Sequence, residues 1–148
     1  MEFNQLIDDF AARHKVDDLV AVDGAAALDI DGITVIIAAN GDVMNISAEI
    51  GDPPAEGADV FANLLLEANM QPGAFFAKVP GPGQYVAVRR LQLCTVDGEV
   101  FDSTLESFVN QVETWRRLLE DFRPAAKAAS ENEAAEGPSL GSAGFMQV

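Results

Sequence analysis

Residues 26–50 read AALDIDGITVIIAANGDVMNISAEI, and this stretch decides the fold. Three β-rich runs, Ala26 to Ile30, Ile33 to Ala39 and Val43 to Ile50, are separated by Asp31-Gly32 and Asn40-Gly41. Both dipeptides tolerate the positive backbone angles that tight hairpins need, so the spacing predicts an antiparallel meander. In the third run Met44, Ile46, Ala48 and Ile50 alternate with Asn45, Ser47 and Glu49, as expected of a sheet covered on one side. The second run breaks that rule, because Ile36 and Ala38 point away from Ile33, Val35 and Ile37. Apolar surface is therefore left over on a second face, to be covered either by the helices or by another subunit or a partner peptide.

Helices flank the meander. Before it, Phe3, Leu6, Ile7, Phe10 and Ala11 recur on one side of a helix of about three turns. After it, Asp52 reads as an N-cap with Pro53 in the first turn of a helix from about Pro54 to Asn69, with Phe61, Leu64, Leu65 and Ala68 sharing a face and Pro72-Gly73 closing it. Ala74 to Val79 and Tyr85 to Val96 read as two more strands around the Pro80-Gly81-Pro82-Gly83 loop, and Asp97-Gly98 as a turn. The last helix is expected over Ser103 to Arg123, its stripe built by Leu105, Phe108, Val109, Val112, Trp115, Leu119 and Phe122. Ser103 and Glu106 form a candidate capping box there, Arg116, Arg117 and Arg123 suit the negative end of the dipole, and Pro124 marks its stop. The fold class is therefore α+β, an antiparallel sheet with helices in the order α-β-β-β-α-β-β-α. Residues 124–148, rich in Ala, Ser, Glu and Gly, read as a disordered tail, although the alanines could carry the helix some way past Pro124.

Composition narrows the function classes. Of 148 residues, 24 are Asp or Glu and 9 are Lys or Arg, a formal net charge of -15. Such a chain is repelled by a phosphate backbone and by an anionic membrane surface, so nucleic acid is not an expected partner, while a taste for basic partners stays open. The 49% hydrophobic content suffices for one domain with a real core. No run approaches the roughly 20 apolar residues of a membrane span, the N-terminus lacks a signal-peptide pattern, and the single Cys94, expected within a strand, suggests a reducing compartment. A cytoplasmic protein without membrane insertion is expected.

Chemistry is poorly supplied, and no enzyme is expected. There is one His, one Cys and one Tyr. His14 lies among charged residues at a helix end, where a solvated side chain is the plain reading. Asp29 and Asp31 share a strand face, but the surrounding stretch fails the calcium-loop pattern, with Ala27 and Ala38 where acidic ligands belong. Gly81 to Gly83 is interrupted by Pro82 and joins two strands, so it is no phosphate cradle. Neither a metal nor a cofactor is expected.

The element order and three local sequences resemble the class I type III secretion chaperones, the family of the Tir chaperone. The sequences are Leu64-Leu65-Leu66-Glu67-Ala68-Asn69, Leu105-Glu106-Ser107-Phe108-Val109 and Glu113-Thr114-Trp115-Arg116, and the resemblance covers roughly residues 1 to 123. It implies a homodimer that holds the unfolded N-terminal segment of a secreted effector extended, soluble and export-competent, without ATP. Carried onto this chain, it makes Phe3, Leu6, Ile7, Phe10 and Ile36 candidate effector contacts and Phe61, Leu65, Val86 and Val88 candidate dimer contacts. For each, ordinary monomer core is the competing reading. On this view, Asp at Phe10 or Ile36 abolishes partner binding and spares the fold. The alternative function is a small-ligand carrier or sensor, with helix and sheet enclosing an apolar pocket.

Overall fold

The computed structural model describes residues 2–136, with side chains placed as far as Phe122. In chain order the elements are α1 (Phe3–His14), β1 (Ala25–Ile30), β2 (Ile33–Asn40), β3 (Val43–Gly51), α2 (Ala58–Ala68), β4 (Phe75–Lys78), β5 (Tyr85–Gln92) and α3 (Gly98–Glu136), with a short 3-10 turn at Leu93–Thr95 before α3. The expected order holds, and the strands form one antiparallel sheet in the spatial order β1-β2-β3-β5-β4.

Turn chemistry explains the meander. Asp31 and Gly32 both have positive φ, 52° and 81°, and Ile30 faces Ile33, so this is the two-residue hairpin the sequence specifies. Asp29 Oδ1 accepts the Gly32 N–H at 3.1 Å, which gives that carboxylate a structural task. The second hairpin is shifted by one residue. Asn40 still pairs with Val43, the turn is Gly41-Asp42, and of its two residues only Gly41 has positive φ, 62°.

Pattern sends Leu28, Val35, Ile37, Met44, Ile46 and Ala87 to one face of the sheet, where they are buried against Leu6, Ile7 and Phe10 of α1 and Phe101, Leu105, Phe108 and Val112 of α3. Each fully buried large aliphatic contributes about 1.5–3 kcal/mol. α1 and α3 are also bridged at their ends. The Arg13 guanidinium pairs with Asp9 and forks onto both Asp102 oxygens, and His14 Nε2 lies 3.1 Å from the same carboxylate. These bonds, Arg13 foremost, hold the Asp102 carboxyl below its usual range and push the Arg13 guanidinium up.

Several sequence expectations are corrected. α3 starts at Gly98 because Asp97, read as a turn, is its cap: Asp97 Oδ1 accepts the Val100 N–H at 2.8 Å. Ser103 is thus a mid-helix residue, and Phe101, four before Leu105, extends the apolar stripe by a turn. Pro124 does not stop α3, which runs to Glu136 through an alanine-rich stretch of high helix propensity. Residues 124–136 are therefore helical, and the disordered tail expected beyond them falls outside the described residues. α2 starts at Ala58 rather than near Pro54: the prolines drive Asp52 and Pro53 from the helical region, the chain bends over residues 55–57, and Gly57, at φ 77°, stands at the N-cap. Leu64 does not share the buried face of Phe61 and Leu65 but is 43% exposed. β5 ends at Gln92, and Cys94 is exposed in the 3-10 turn, not packed in a strand.

Asn69, just after α2, clasps the outer edge of β4. Its Oδ1 accepts the Phe76 N–H at 2.7 Å and its Nδ2 donates to the Phe76 carbonyl at 3.1 Å. A strand edge that would otherwise offer both groups to another chain is satisfied from within. Asn69→Ala leaves both groups unpaired in a partly buried place, at a cost of about 1–3 kcal/mol. A lower urea midpoint together with concentration-dependent association in light scattering is the expected outcome.

Candidate functional site

All three helices leave the second face of the sheet uncovered. Strand register puts Ala27, Ile36, Ser47, Val88 and Phe75 in one row across it, from β1 to β4. Ile36 is 49% exposed, and Val88, Phe75 and the next-row Val86 are half-buried. A parallel row runs Ala25, Ala38, Asn45 and Arg90. Arg90 Nε donates to Asn45 Oδ1 at 3.0 Å and its guanidinium sits 5.8 Å from the Phe75 ring centroid, so a polar rim borders the apolar row.

The two sheet edges differ. β4 is clasped by Asn69, whereas β1 is engaged only at its start, where Val22 and Ala25 exchange backbone hydrogen bonds of 2.8 and 3.1 Å. Because antiparallel residues alternate, Ala27 and Asp29 turn their N–H and C=O groups to the same outer side as Ala25, and no other backbone group meets them among the described residues. Val20 and Val22, 62% and 64% exposed, lie on the segment leading to this edge. The sequence signal for them is the apolar Leu19-Val20-Ala21-Val22 run between Asp17-Asp18 and Asp23-Gly24.

The structure separates the sequence-predicted site residues. Phe3, Leu6, Ile7 and Phe10 are 7%, 0%, 0% and 7% exposed, members of the core under α1, and only Ile36 of the candidate effector contacts stands on the surface. Phe10 meets the Phe101 ring edge-on at 5.3 Å, so Phe10→Asp would put a charge into the core, which argues against the expectation that it spares the fold. Among the candidate dimer contacts, Phe61 and Leu65 are core, 1% and 5% exposed, while Val86 and Val88 lie on the uncovered face. α2 instead presents Val60, Leu64 and Leu66 to solvent, and Met70 in the turn after it is 85% exposed. Among the described residues no cluster of three or more His, Cys, Asp or Glu side chains forms, and no helix is long and apolar enough to cross a membrane.

A family model, that of the Tir chaperone protein (CesT) family, matches residues 5–116. The chain belongs to the Tir chaperone family. That match runs from the first turn of α1 to the middle of α3, hence over the whole sheet and its uncovered face. Solved structures agree with this chaperone fold. The chain is similar to one in the crystal structure of the ExsC-ExsE complex, with a TM-score of 0.68 and 20% identity, covering 78% of this chain and 92% of that one. It is also similar to a chain in the crystal structure of the Yersinia pestis type III secretion chaperone SycH with a fragment of YscM2, with a TM-score of 0.64 and 18% identity over 77% and 99% of the two chains. A third likeness is to a chain in the ExoU-SpcU complex of the Pseudomonas aeruginosa type III secretion system, at 0.64 and 16% over 78% and 98%. No curated protein sequence matches the chain. Membership places the chain in a family of chaperones, and nothing favours the small-ligand carrier reading over it.

Proposed function

We propose that this chain is a cytoplasmic type III secretion chaperone that holds the unfolded N-terminal segment of an effector against its uncovered sheet face, without ATP or covalent chemistry. The observation that carries the reading is the segregation of all three helices to one face, which leaves Ile36 exposed beside the unclasped edge of β1. An extended chain gains backbone hydrogen bonds by pairing with Ala27 and Asp29 and specificity by setting alternate side chains against Ile36. Neither step needs a catalytic group. The three solved likenesses come from structures of complexes, one of them of the type III secretion chaperone SycH with a stable fragment of YscM2, which supports the same mode here.

The homodimer is part of this proposal. Val86 and Val88 on β5 lie two strands from Ile36, roughly 10 Å across the sheet, and the exposed Leu64 and Leu66 of α2, with Met70 in the turn that follows, supply apolar surface that a second copy would cover. The division assigns the β1-β2 side to the effector and the β5 and α2 side to the second subunit.

A pull-down of the tagged chain from its native cytosol, followed by mass spectrometry and limited proteolysis, tests the proposal. One dominant protein protected over a segment near its N-terminus is expected. A folded partner protected elsewhere, or no partner at all, would overturn the reading.

A further inference from the structure

β5 alternates, so Tyr85, Ala87 and Arg89 all turn to the helix-covered side, and the first two are buried at 3% and 0% exposure. Arg89 is a charge on the apolar side of the sheet. It reaches a cleft of about 310 Å³ between the loop before β4 and one flank of α3, where Ser103, Thr104, Ser107 and Gln111 line the other wall. Ser103, Ser107 and Gln111 recur at four-residue steps, so they form one polar stripe along the helix.

Three observations indicate what the cleft accepts. The Arg89 Nε is buried with no hydrogen-bond partner. Burying a charged donor unpaired is costly, and an oxyanion entering the cleft beside this guanidinium would relieve that cost. Second, not one residue lining the cleft is acidic, in a chain with 24 Asp and Glu. Third, its wall is rich in donors: three hydroxyls, and the side-chain amide of Gln111, whose Oε1 already accepts the Ala74 N–H at 3.4 Å. Gly73, at φ 115°, holds a backbone conformation that favours glycine, and its loop runs within van der Waals reach of Gln111 Oε1 and Arg89 Nη1.

We propose that this cleft is an oxyanion site, in which the Arg89 guanidinium takes a carboxylate or phosphate group while Ser103, Thr104, Ser107 and the Gln111 amide donate to its remaining oxygens. It lies on the opposite side of the sheet from Ile36 and does not depend on the chaperone reading. Its volume is at the small end of ligand pockets, the size for a single charged group with a short stem. The overall charge of -15 keeps anions from collecting unspecifically, so binding at Arg89 stands out against a quiet background.

The test is a titration of the full chain with sodium acetate and, separately, with inorganic phosphate at constant ionic strength, reading the Arg89 Nε–Hε resonance by NMR and the Tm in parallel. A saturable shift of that resonance at millimolar anion, with a rising Tm, is expected, and both are lost in Arg89→Met. Ser107→Ala, which keeps the guanidinium, is expected to weaken the binding several-fold and serves if Arg89→Met does not fold. Tighter binding of acetate than of phosphate assigns the site to carboxylates, such as an acidic side chain or chain terminus. Phosphate binding alone assigns it to phosphate groups. No shift with either anion overturns the proposal.

Discussion

Phe61→Ala is expected to remove about 3–5 kcal/mol of stability, the range for truncating a buried aromatic. The ring is 1% exposed and is held by three others: Tyr85 stacked at 5.5 Å, Trp115 edge-on at 5.9 Å and Phe122 at 5.4 Å. These contacts tie α2 to both β5 and α3, so the cavity opens where three elements meet and no single one can collapse into it. Aromatic pairs of this geometry add about 0.5–1.5 kcal/mol each beyond area. Against a total of about 5–15 kcal/mol for a domain, the loss is a large fraction. Urea unfolding at several protein concentrations checks it. A core role gives a midpoint shift that is the same at each concentration, whereas a dimer-contact role gives one that grows on dilution. Glu67→Ala on the exposed side of the same helix is expected to stay within about 0.5 kcal/mol.

Much of this architecture was legible because local chemistry and tertiary packing agree. Asp31-Gly32 dictates a hairpin wherever it falls between β-rich runs, and the three-four spacing from Leu105 to Leu119 specifies a buried helix face without knowledge of its neighbours. Element ends were less legible, because several residues offer themselves as caps. Ser103 and Asp97 are both competent N-caps, and the choice falls to Asp97 because the buried Phe101 must lie on the helix to join Leu105 in the core. Pro124 is a strong breaker by propensity, yet only one helical hydrogen bond is lost and the alanines that follow restore the gain per residue.

The candidate site was the least legible part, for a physical reason. An apolar residue on one side of a helix is the same letter whether it faces a core or a partner, so pattern could not place Phe10, although strand alternation already put Ile36 on the second face. Sheet position separates them. Phe10 faces inward over Phe101, while Ile36 is the odd member of a strand whose Val35 and Ile37 already fill the inner face at 0% exposure. The clasp of Asn69 on Phe76 was invisible for a related reason: it depends on bringing the end of α2 beside an edge strand.

Ile36→Asp is expected to abolish effector capture while the fold survives. The side chain is 49% exposed and lies between Ala27 and Ser47 across the sheet, so an aspartate there reaches water in the free protein and costs at most about 1 kcal/mol through lower strand preference. In the complex the same position would be covered by the effector segment, and a carboxylate sealed there without a partner costs several kcal/mol. At 1.4 kcal/mol per tenfold, affinity falls by at least about a hundredfold. Phe10→Asp makes the contrast, because it puts the charge at 7% exposure against Phe101 and unfolds the chain instead of sparing it. Calorimetric titration of the co-purified effector segment, paired with the Tm of each variant, reads both effects. Wild-type affinity in a folded Ile36→Asp protein would move the effector off this face. A hundredfold loss with an unchanged Tm would leave the row of Ala27, Ile36 and Ser47 as the place where the extended chain lies, with the free edge of β1 beside it to set its register.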